Sequence, residues 1–373
     1  MIQLVTGLNL LTSDGDYWLQ QRRLMAPAFH RQRIAGFGVL MSQAAQGMLA
    51  RWDKTEAAGG WIDAHREIMQ VTLEIVGQAL FSIDLSGEAN ALARSFAEGM
   101  DYLNFRLNHV FAWPLFLPTP RNIRLRRALA VTDRVMQEII DERWHSGAER
   151  EDLLSMLLEA RYEDSGQGMT DEQLQNELGI LVGAGHETTA NALIWTFYLL
   201  AEHPEVEQAL HRELDQVLQG RAPTVADLPA LPYTRMVIEE AMRLYPPAWI
   251  LTGRQVIADD QVGGYTIPAG SIVFISPYAT HRDPRFWPDP ERFDPSRFAP
   301  ERAAERPRFA YLPFGGGPRK CIGAEFAMTE AQLILAAVAQ RCRLRLKPGW
   351  AVEPDPIFTL RVRGGLPMRL ETR

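Results

Sequence analysis

Apolar residues recur at helical spacing along the first three-quarters of the chain, and this pattern predicts one helix after another. The predicted helices cover roughly 37–57, 63–81, 87–104, 122–146, 151–162, 170–203 and 204–219. The central one has clear ends, because Thr170 and Gln173 fit a capping box and Pro204 stops the pattern. We expect this helix to run for roughly 33 residues, about 50 Å.

The pattern changes after Pro246 and Pro247, where short runs of strand-forming residues alternate with glycine and proline turns. Strands are predicted near 255–257, 265–267, 271–276, 343–346, 358–362 and 366–370, with a Pro- and Arg-rich coil over 281–307 and a helix over 322–341. No repeat or low-complexity linker divides the chain. The sequence therefore predicts a mainly α fold with a minor β region, in one domain spanning 1–373.

The most apolar stretch, 178–200, is nearly long enough to cross a bilayer. Polar residues from His186 to Asn191 interrupt its middle, where a bilayer tolerates them poorly. We expect a buried central helix and no transmembrane anchor.

Charge and cysteine content narrow the classes of function. The net charge is -7, and the basic run 121–127 lies on a helical pattern, so we expect no nucleic-acid partner. Two cysteines, Cys321 and Cys342, exclude a disulfide framework and multi-thiolate zinc sites. With no signal-peptide pattern at the N-terminus, a cytoplasmic location is expected.

The string PFGGGPRKCIG (313–323) carries the most information. A lone cysteine, Cys321, follows three glycines and precedes a helix, whose N-terminal N–H groups favour a thiolate. A thiolate at such a site suits haem iron, since its electron donation favours O–O cleavage. A phosphate-binding loop and a buried structural cysteine are the alternatives, although a phosphate loop would place Ser or Thr after Lys320.

This string resembles the haem-binding signature of the cytochrome P450 monooxygenases at Phe314, Gly317, Arg319, Cys321 and Gly323. The resemblance extends from about Leu10 to Leu370. It implies a cytochrome P450-like helical fold with the long central helix over the haem, and haem b (iron protoporphyrin IX) ligated by Cys321. The loop residues implied to contact the haem are Phe314, Gly315 and Gly323. Cys342 matches no motif and is expected in the core.

The segment AGHETT (184–189) lies in the middle of the longest predicted helix. A zinc-protease motif fails here, because its second histidine would fall at Ala190. From the residues alone, Gly185 and Thr188 predict a polar break in the helix or a simple kink. The segment looks like the family's oxygen-activating signature, which implies that Glu187 and Thr188 deliver protons and that Ala184 and Gly185 line the haem. His186 occupies the variable position of that signature.

Glu240 and Arg243 stand three residues apart on one helical face, which is typical of an ordinary surface ion pair. The resemblance instead implies a buried pair completed by an arginine of the Pro-rich coil. Counting from Trp287 in the family's pattern favours Arg297 over Arg292 as that arginine. Ser296 departs from the pattern, which usually has Glu there.

Haem has two propionates that need cationic partners, and four residues match the family's propionate contacts: Trp18, Arg22, Arg254 and Arg319. Residues that resemble substrate-contacting positions are bulky or apolar: Gly183, Ala248, Trp249, Ile250, Leu251 and Phe358. Their character implies a hydrophobic substrate similar to a fatty acid, a terpenoid or a carotenoid.

The resemblance implies a monooxygenase that inserts one atom of dioxygen into an apolar substrate. Electrons are expected from a separate ferredoxin or flavodoxin-type donor with its reductase, docking on a basic patch of Arg22, Arg23, Arg319 and Lys320. We expect a monomer. A peroxide-driven haem-thiolate hydroxylase and a non-catalytic, degenerate haem-binding fragment are the alternatives.

The fragment alternative arises because Trp18 lies only 17 residues after Met1. Family members usually carry more chain ahead of this motif, so the sequence is N-terminally short by comparison. The expectation is a truncated reading frame, or a chain that loses haem readily because apolar surface stays in water.

Overall fold

Helices dominate the part of the chain that the structure describes, as the apolar spacing predicts. The computed structural model describes residues 3–57, 60–83, 89–109, 113–146, 150–162 and 165–373. Its helices are α1 (Gln3–Thr6), α2 (Gly15–Met25), α3 (Arg31–Ala57), α4 (Ala64–Phe81), α5 (Ala89–Asn108), α6 (Pro120–Ser146), α7 (Leu153–Glu159), α8 (Asp171–Glu202), α9 (Pro204–Leu218), α10 (Pro232–Leu244), α11 (Pro277–Thr280), α12 (Pro300–Ala304) and α13 (Ala324–Arg341). The first two residues of the predicted helix 87–104 lie outside the described residues.

The central helix α8 begins and ends where the sequence predicts. Thr170 Oγ1 accepts from the Gln173 backbone N–H at 3.2 Å, and Gln173 Oε1 accepts from the Thr170 N–H at 2.9 Å, which completes the capping box. The helix has 32 residues, and Pro204 starts α9 two residues after it ends. Among the described residues, no helix is long and apolar enough to cross a membrane.

Two clusters of buried apolar residues meet on α8. The larger one joins α8 to α3, α4, α9, α10 and α13, with Trp195 and Leu193 at its centre. The smaller one packs Leu174, Leu178 and Val182 against residues of α2, α4, α6 and α7. Because both clusters use α8, its position is fixed from two sides.

The strands are short and their pairings are antiparallel. They are β1 (Trp61–Asp63), β2 (Arg254–Gln255), β3 (Asp260–Val262), β4 (Tyr265–Ile267), β5 (Ile272–Val273), β6 (Cys342–Leu346), β7 (Pro354–Pro356), β8 (Leu360–Val362) and β9 (Pro367–Thr372). One sheet has the order β1-β9-β6, with Asp63 opposite Pro367 and Leu346 opposite Met368. The pairs β2–β5, β3–β4 and β7–β8 form two-stranded sheets.

The region around β2 to β5 exposes large apolar side chains. Ile257 is 96% exposed, Tyr265 77% and Ile272 63%. The strand-forming sequence therefore produces paired strands here that do not bury their apolar residues. The strands predicted at 255–257 and 271–276 are also shorter, at Arg254–Gln255 and Ile272–Val273.

A carboxyl group, that of Glu330, is fully buried on α13 beside Thr189 of α8. Neither of its oxygens has a hydrogen-bond partner within the described parts of the chain, and the Thr189 hydroxyl donates to Gly185 O at 3.1 Å. Burial raises the pKa of Glu330 well above its ordinary value. Burial therefore favours the protonated, uncharged form of the Glu330 carboxyl group in the folded protein.

We expect Glu330→Gln to stabilise the protein at pH 8 and to have less effect at pH 5. Above the ordinary carboxyl pKa, the unfolded chain loses this proton and the folded chain keeps it, so rising pH favours unfolding. A one-proton difference changes the free energy of unfolding by about 1.4 kcal/mol per pH unit. Urea unfolding at several pH values measures the effect. Glu325→Gln, at an exposed position of the same helix, is the control, and a gain from Glu330→Gln that does not depend on pH contradicts the prediction.

Candidate functional site

The glycine loop before α13 presents Cys321 at the start of that helix. Gly315 and Gly317 have φ values of +70° and +67°, a conformation that favours glycine. The Cys321 N–H donates to Phe314 O at 2.9 Å, which closes the loop on itself. Gly323 is the N-cap of α13. Cys321 is thus placed just ahead of a helix N-terminus, as the sequence predicts, and its side chain is accessible to solvent.

Opposing effects act on the Cys321 thiol. The surrounding protein buries it closely enough to raise its pKa, even though solvent reaches the residue. A hydrogen bond from the backbone of Gly323 and the charges of Arg22 and Lys320 act in the opposite direction. In the polypeptide alone, burial outweighs the helix terminus and the basic residues. A coordinated metal ion would reverse this balance, because it deprotonates a ligating thiol outright.

The two cysteines lie beyond opposite ends of α13, an 18-residue helix about 27 Å long. Cys342 begins β6, is partly buried against the core, and lies 3.5 Å from Val338 O through its Sγ. Of the two thiols, Cys321 is therefore the one in an accessible glycine loop beside cationic residues.

The four predicted anion contacts gather near this loop. Arg319 donates to Ser13 O at 2.8 Å and to Asp14 Oδ1 at 2.7 Å, and its guanidinium lies 4.2 Å from the centre of the Trp18 ring. Arg22, one turn further along α2, is close enough to Cys321 for their charges to interact. Arg254 is exposed and lies within charge-interaction range of Arg319. The fold thus brings residues from α2, β2 and the cysteine loop together.

The middle of α8 exposes a small apolar and hydroxyl surface. Ala184 is exposed, whereas its neighbours from Ile180 to Thr188 are buried or partly buried. Thr188 lies four residues on, on the same helix face, and its hydroxyl donates to Ala184 O at 2.6 Å. Gly185 faces α4, because a Cβ there would lie 3.3 Å from Val76 Cγ2. The missing side chain therefore lets α4 and α8 approach closely.

The carboxylate of Glu187 is hydrogen-bonded to Thr359, a contact that the sequence analysis did not predict. Thr359 Oγ1 donates to Glu187 Oε1 at 2.6 Å, and Asn191 Nδ2 donates to Thr359 Oγ1 at 3.2 Å. Thr359 and Glu187 are 172 residues apart, so no local pattern indicates this contact. His186 is buried, with Nδ1 bonded to Val182 O at 2.9 Å.

The two predicted substrate-contacting segments lie side by side. Trp249 Nε1 donates to Ile357 O at 2.8 Å, and the Leu360 N–H donates to Pro247 O at 2.9 Å. Leu251 Cδ1 would lie 3.8 Å from a Cβ on Gly315, so this segment also reaches the cysteine loop. The other predicted contacts are partly buried or exposed: Gly183, Ala248, Ile250 and Phe358.

Glu240 lies in a buried ionic cluster with two arginines. Arg243 donates to both of its carboxylate oxygens, at 2.7 and 2.8 Å, and Arg297 Nε lies 3.4 Å from Oε1. The structure places Arg297, and not Arg292, in the cluster, although Arg292 O accepts from Arg243 at 3.0 Å. Burial raises the pKa of Glu240, and the Arg243 guanidinium acts in the opposite direction.

A family model described as Cytochrome P450 matches residues 2–366 of the chain. The chain belongs to the cytochrome P450 family. It is 39% identical over 371 residues to the cyclooctat-9-en-7-ol 5-monooxygenase of Streptomyces melanosporofaciens, covering 98% of this chain and 79% of that protein. It is 36% identical over 375 residues to the pentalenene oxygenase of Streptomyces avermitilis, covering 99% of this chain and 81% of that protein. The crystal structure of the cytochrome P450DA heme domain superposes with a TM-score of 0.91 at 27% identity, covering 100% of this chain and 81% of that one.

This P450 is a haem-dependent monooxygenase with a cysteine thiolate ligand to the iron, so the predicted fold class, cofactor and reaction class are confirmed. The residues present fit a haem. One accessible thiol lies in a loop whose glycines leave room for a flat ligand, and the arginines beside it suit two propionates. Dioxygen and a redox partner are also required, whereas a ferredoxin or flavodoxin donor and a monomeric state stay predictions.

Proposed function

We propose that this P450 oxygenates a terpenoid-like hydrocarbon or alcohol, with Cys321 as the iron ligand and with Glu187 and Thr188 delivering protons. The proposal rests on the contacts that connect four segments, namely α8, residues 357–360, residues 247–251 and the cysteine loop. The stretch 357–360 is bonded to α8 through Thr359 and through Leu360 O, which accepts from Trp195 Nε1 at 2.9 Å. The same stretch is bonded to 247–249, and Leu251 reaches the cysteine loop. Apolar segments thus link α8 to Cys321.

The substrate class rests on these segments and on the relatives. Trp249, Leu251 and Phe358 present large apolar side chains, and Ala184 adds a small one on α8, which suits an apolar ligand of some bulk. The two relatives are named for oxygenation of cyclooctat-9-en-7-ol and pentalenene. A cyclic terpenoid substrate therefore agrees better with the chain than a fatty acid or a carotenoid.

Each remaining site residue has a proposed role. When bound, the haem supplies the activation of dioxygen, and the Cys321 thiolate donates electron density to its iron. Trp18, Arg22, Arg254 and Arg319 hold the propionates by hydrogen bonding and charge. Contacts to the ring itself are proposed for residues of the cysteine loop and of α8: Phe314, Gly315, Gly323 and Ala184. The predicted ring contact of Gly185 is not proposed, because Gly185 faces Val76 of α4.

Proton delivery follows from the donors and acceptors on α8. The Thr188 hydroxyl donates its hydrogen bond to Ala184 O, so its oxygen stays available to accept a hydrogen bond from water or from an acid. Glu187, the adjacent residue, supplies the carboxyl group of the proposed proton path. Such a pair would supply protons, as a general acid, to the dioxygen chemistry that a bound haem provides.

Thr188→Ala should keep terpenoid binding and lose product. The haem-loaded variant is titrated with a cyclic terpene alcohol, and the spin-state shift should match that of the unmutated protein. With reduced redox partners, the electrons should appear as hydrogen peroxide. The product formed per electron should fall steeply, since general acid groups contribute roughly 100- to 10,000-fold.

Thr196→Ala is the matched control, because Thr196 makes the same bond, to Ala192 O at 2.7 Å, two turns further along α8 in the buried core. It should stay coupled. Equal product per electron in Thr188→Ala and the unmutated protein contradicts the proton path. A spin-state shift with fatty acids but not with terpene alcohols contradicts the substrate class alone.

A further inference from the structure

The chain segment that carries Phe358 also holds the carboxylate of Glu187. Phe358 is a candidate substrate contact, and Thr359 follows it directly in the chain. Thr359 is 3% exposed, and its hydroxyl lies 2.6 Å from Glu187 Oε1. A candidate substrate contact therefore lies directly next to the residue that is hydrogen-bonded to the proposed acid, Glu187.

The direction of the hydrogen bonds is set by their chemistry. The single hydroxyl proton of Thr359 points to Glu187, whose Oε1 accepts the hydrogen bond. Thr359 Oγ1 in turn accepts from Asn191 Nδ2 at 3.2 Å, and Asn191 is fully buried. Asn191 thus fixes the position of the Thr359 oxygen. The hydroxyl has one orientation in which it accepts from Asn191 and donates to Glu187 at the same time.

The backbone around Thr359 is also held in place. The next residue, Leu360, donates its N–H to Pro247 O at 2.9 Å and accepts from the Trp195 indole at 2.9 Å. Thr359 is therefore anchored to α8 at Asn191 and through its neighbour at Trp195, one turn apart on that helix. A side chain fixed in this way holds its partner with little loss of entropy.

We propose that Thr359 is a positioning residue for Glu187, supported by Asn191. The inference rests on the proposed role of Glu187 in proton delivery. Thr359 does not exchange protons with the reacting atoms itself. Its hydroxyl keeps the carboxylate of Glu187 in one orientation.

Thr359→Val removes the hydroxyl and keeps the shape of the side chain, so it tests the proposal on the haem-loaded protein. The terpene-alcohol spin-state titration should be unchanged. The product formed per electron should fall by roughly 10- to 100-fold, since a misplacement of about 1 Å can cost 100-fold. Thr359→Ser retains the hydroxyl and should restore coupling. An equal loss in the serine and valine variants would mean that the hydroxyl is not responsible, which overturns the proposal.

A second measurement does not depend on turnover. The shifts in the urea-unfolding midpoint caused by Thr359→Val and by Glu187→Ala should be non-additive in the double variant, because both remove the same bond. Additive shifts overturn the pairing. In turnover, Thr359→Val should have no further effect in the Glu187→Ala background.

The outcomes also separate this proposal from the proton path. If Glu187→Ala leaves product per electron unchanged, the proposed path fails, and the positioning role falls with it. If Glu187→Ala uncouples turnover but Thr359→Val does not, the path stands and only the positioning role is overturned.

Discussion

Replacing Cys321 with histidine will abolish the strongly red-shifted carbon-monoxide band of the reduced protein and stop turnover driven by redox partners. An imidazole is a neutral ligand and donates less electron density than a thiolate, and that donation favours O–O cleavage. The carbonyl band should be lost completely, because Cys321 is the one of the two thiols that lies in the accessible glycine loop.

Cys342→Ala provides the control for this experiment. Cys342 lies at the far end of α13, with its sulfur against Val338 O, so the carbonyl band and the turnover of this variant should match those of the unmutated protein. Persistence of the band in Cys321→His, or its loss in Cys342→Ala, would show that Cys321 is not the iron ligand.

Glu240→Ala should prevent the protein from accumulating in a haem-loaded form. Arg243 is fully buried, and without Glu240 its remaining hydrogen-bond partners among the described residues are the neutral carbonyls of His281, Pro290 and Arg292. Leaving one member of a buried pair uncompensated costs about 3–5 kcal/mol. That is a large part of a total stability of about 5–15 kcal/mol. The haem absorbance per milligram of purified protein and the urea-unfolding midpoint measure the loss.

The two arginines of the Pro-rich coil are the comparison for Glu240→Ala. Arg297 is 5% exposed and pairs with Glu240 at 3.4 Å, so Arg297→Ala should destabilise the protein. The Arg292 side chain is exposed, and only its carbonyl reaches the cluster. Arg292→Ala should therefore behave like the unmutated protein, and a reversal of the two arginine phenotypes would contradict the assignment.

Local signals explain what the sequence predicts well. The ends of α8 depend on contacts within three or four residues, at Thr170, Gln173 and Pro204, so the sequence alone specifies them. The cysteine loop is equally local, since its positive φ values occur at glycines. The choice of Arg297 over Arg292 needed the family's spacing, because both arginines stand in similar Pro-rich surroundings.

Contacts between distant residues explain what the sequence does not predict. The bond from Thr359 to Glu187 joins residues 172 positions apart, and neither neighbourhood indicates the other. β1 was not predicted, because three residues are too few for a pattern and their strand character depends on pairing with β9. The coil predicted over 281–307 contains α12 and a 3-10 turn at Pro295–Phe298. Each begins with a proline and has only four or five residues, which is too short for a helical pattern to be recognised in a Pro-rich segment.

The sheet order β1-β9-β6 constrains when the protein can finish folding. Asp63 pairs with Pro367, so about 300 residues separate the two strands along the chain. At a synthesis rate of roughly 5–20 residues per second, the ribosome completes β9 about 15–60 s after β1. During that time the backbone N–H and C=O groups of β1 have water as their only alternative, and the apolar face of α4 that follows it is also incompletely covered. Pairing at such sequence separation is intrinsically slow, so closure of this sheet is expected to be a late folding step, after the helices packed on α8 have formed.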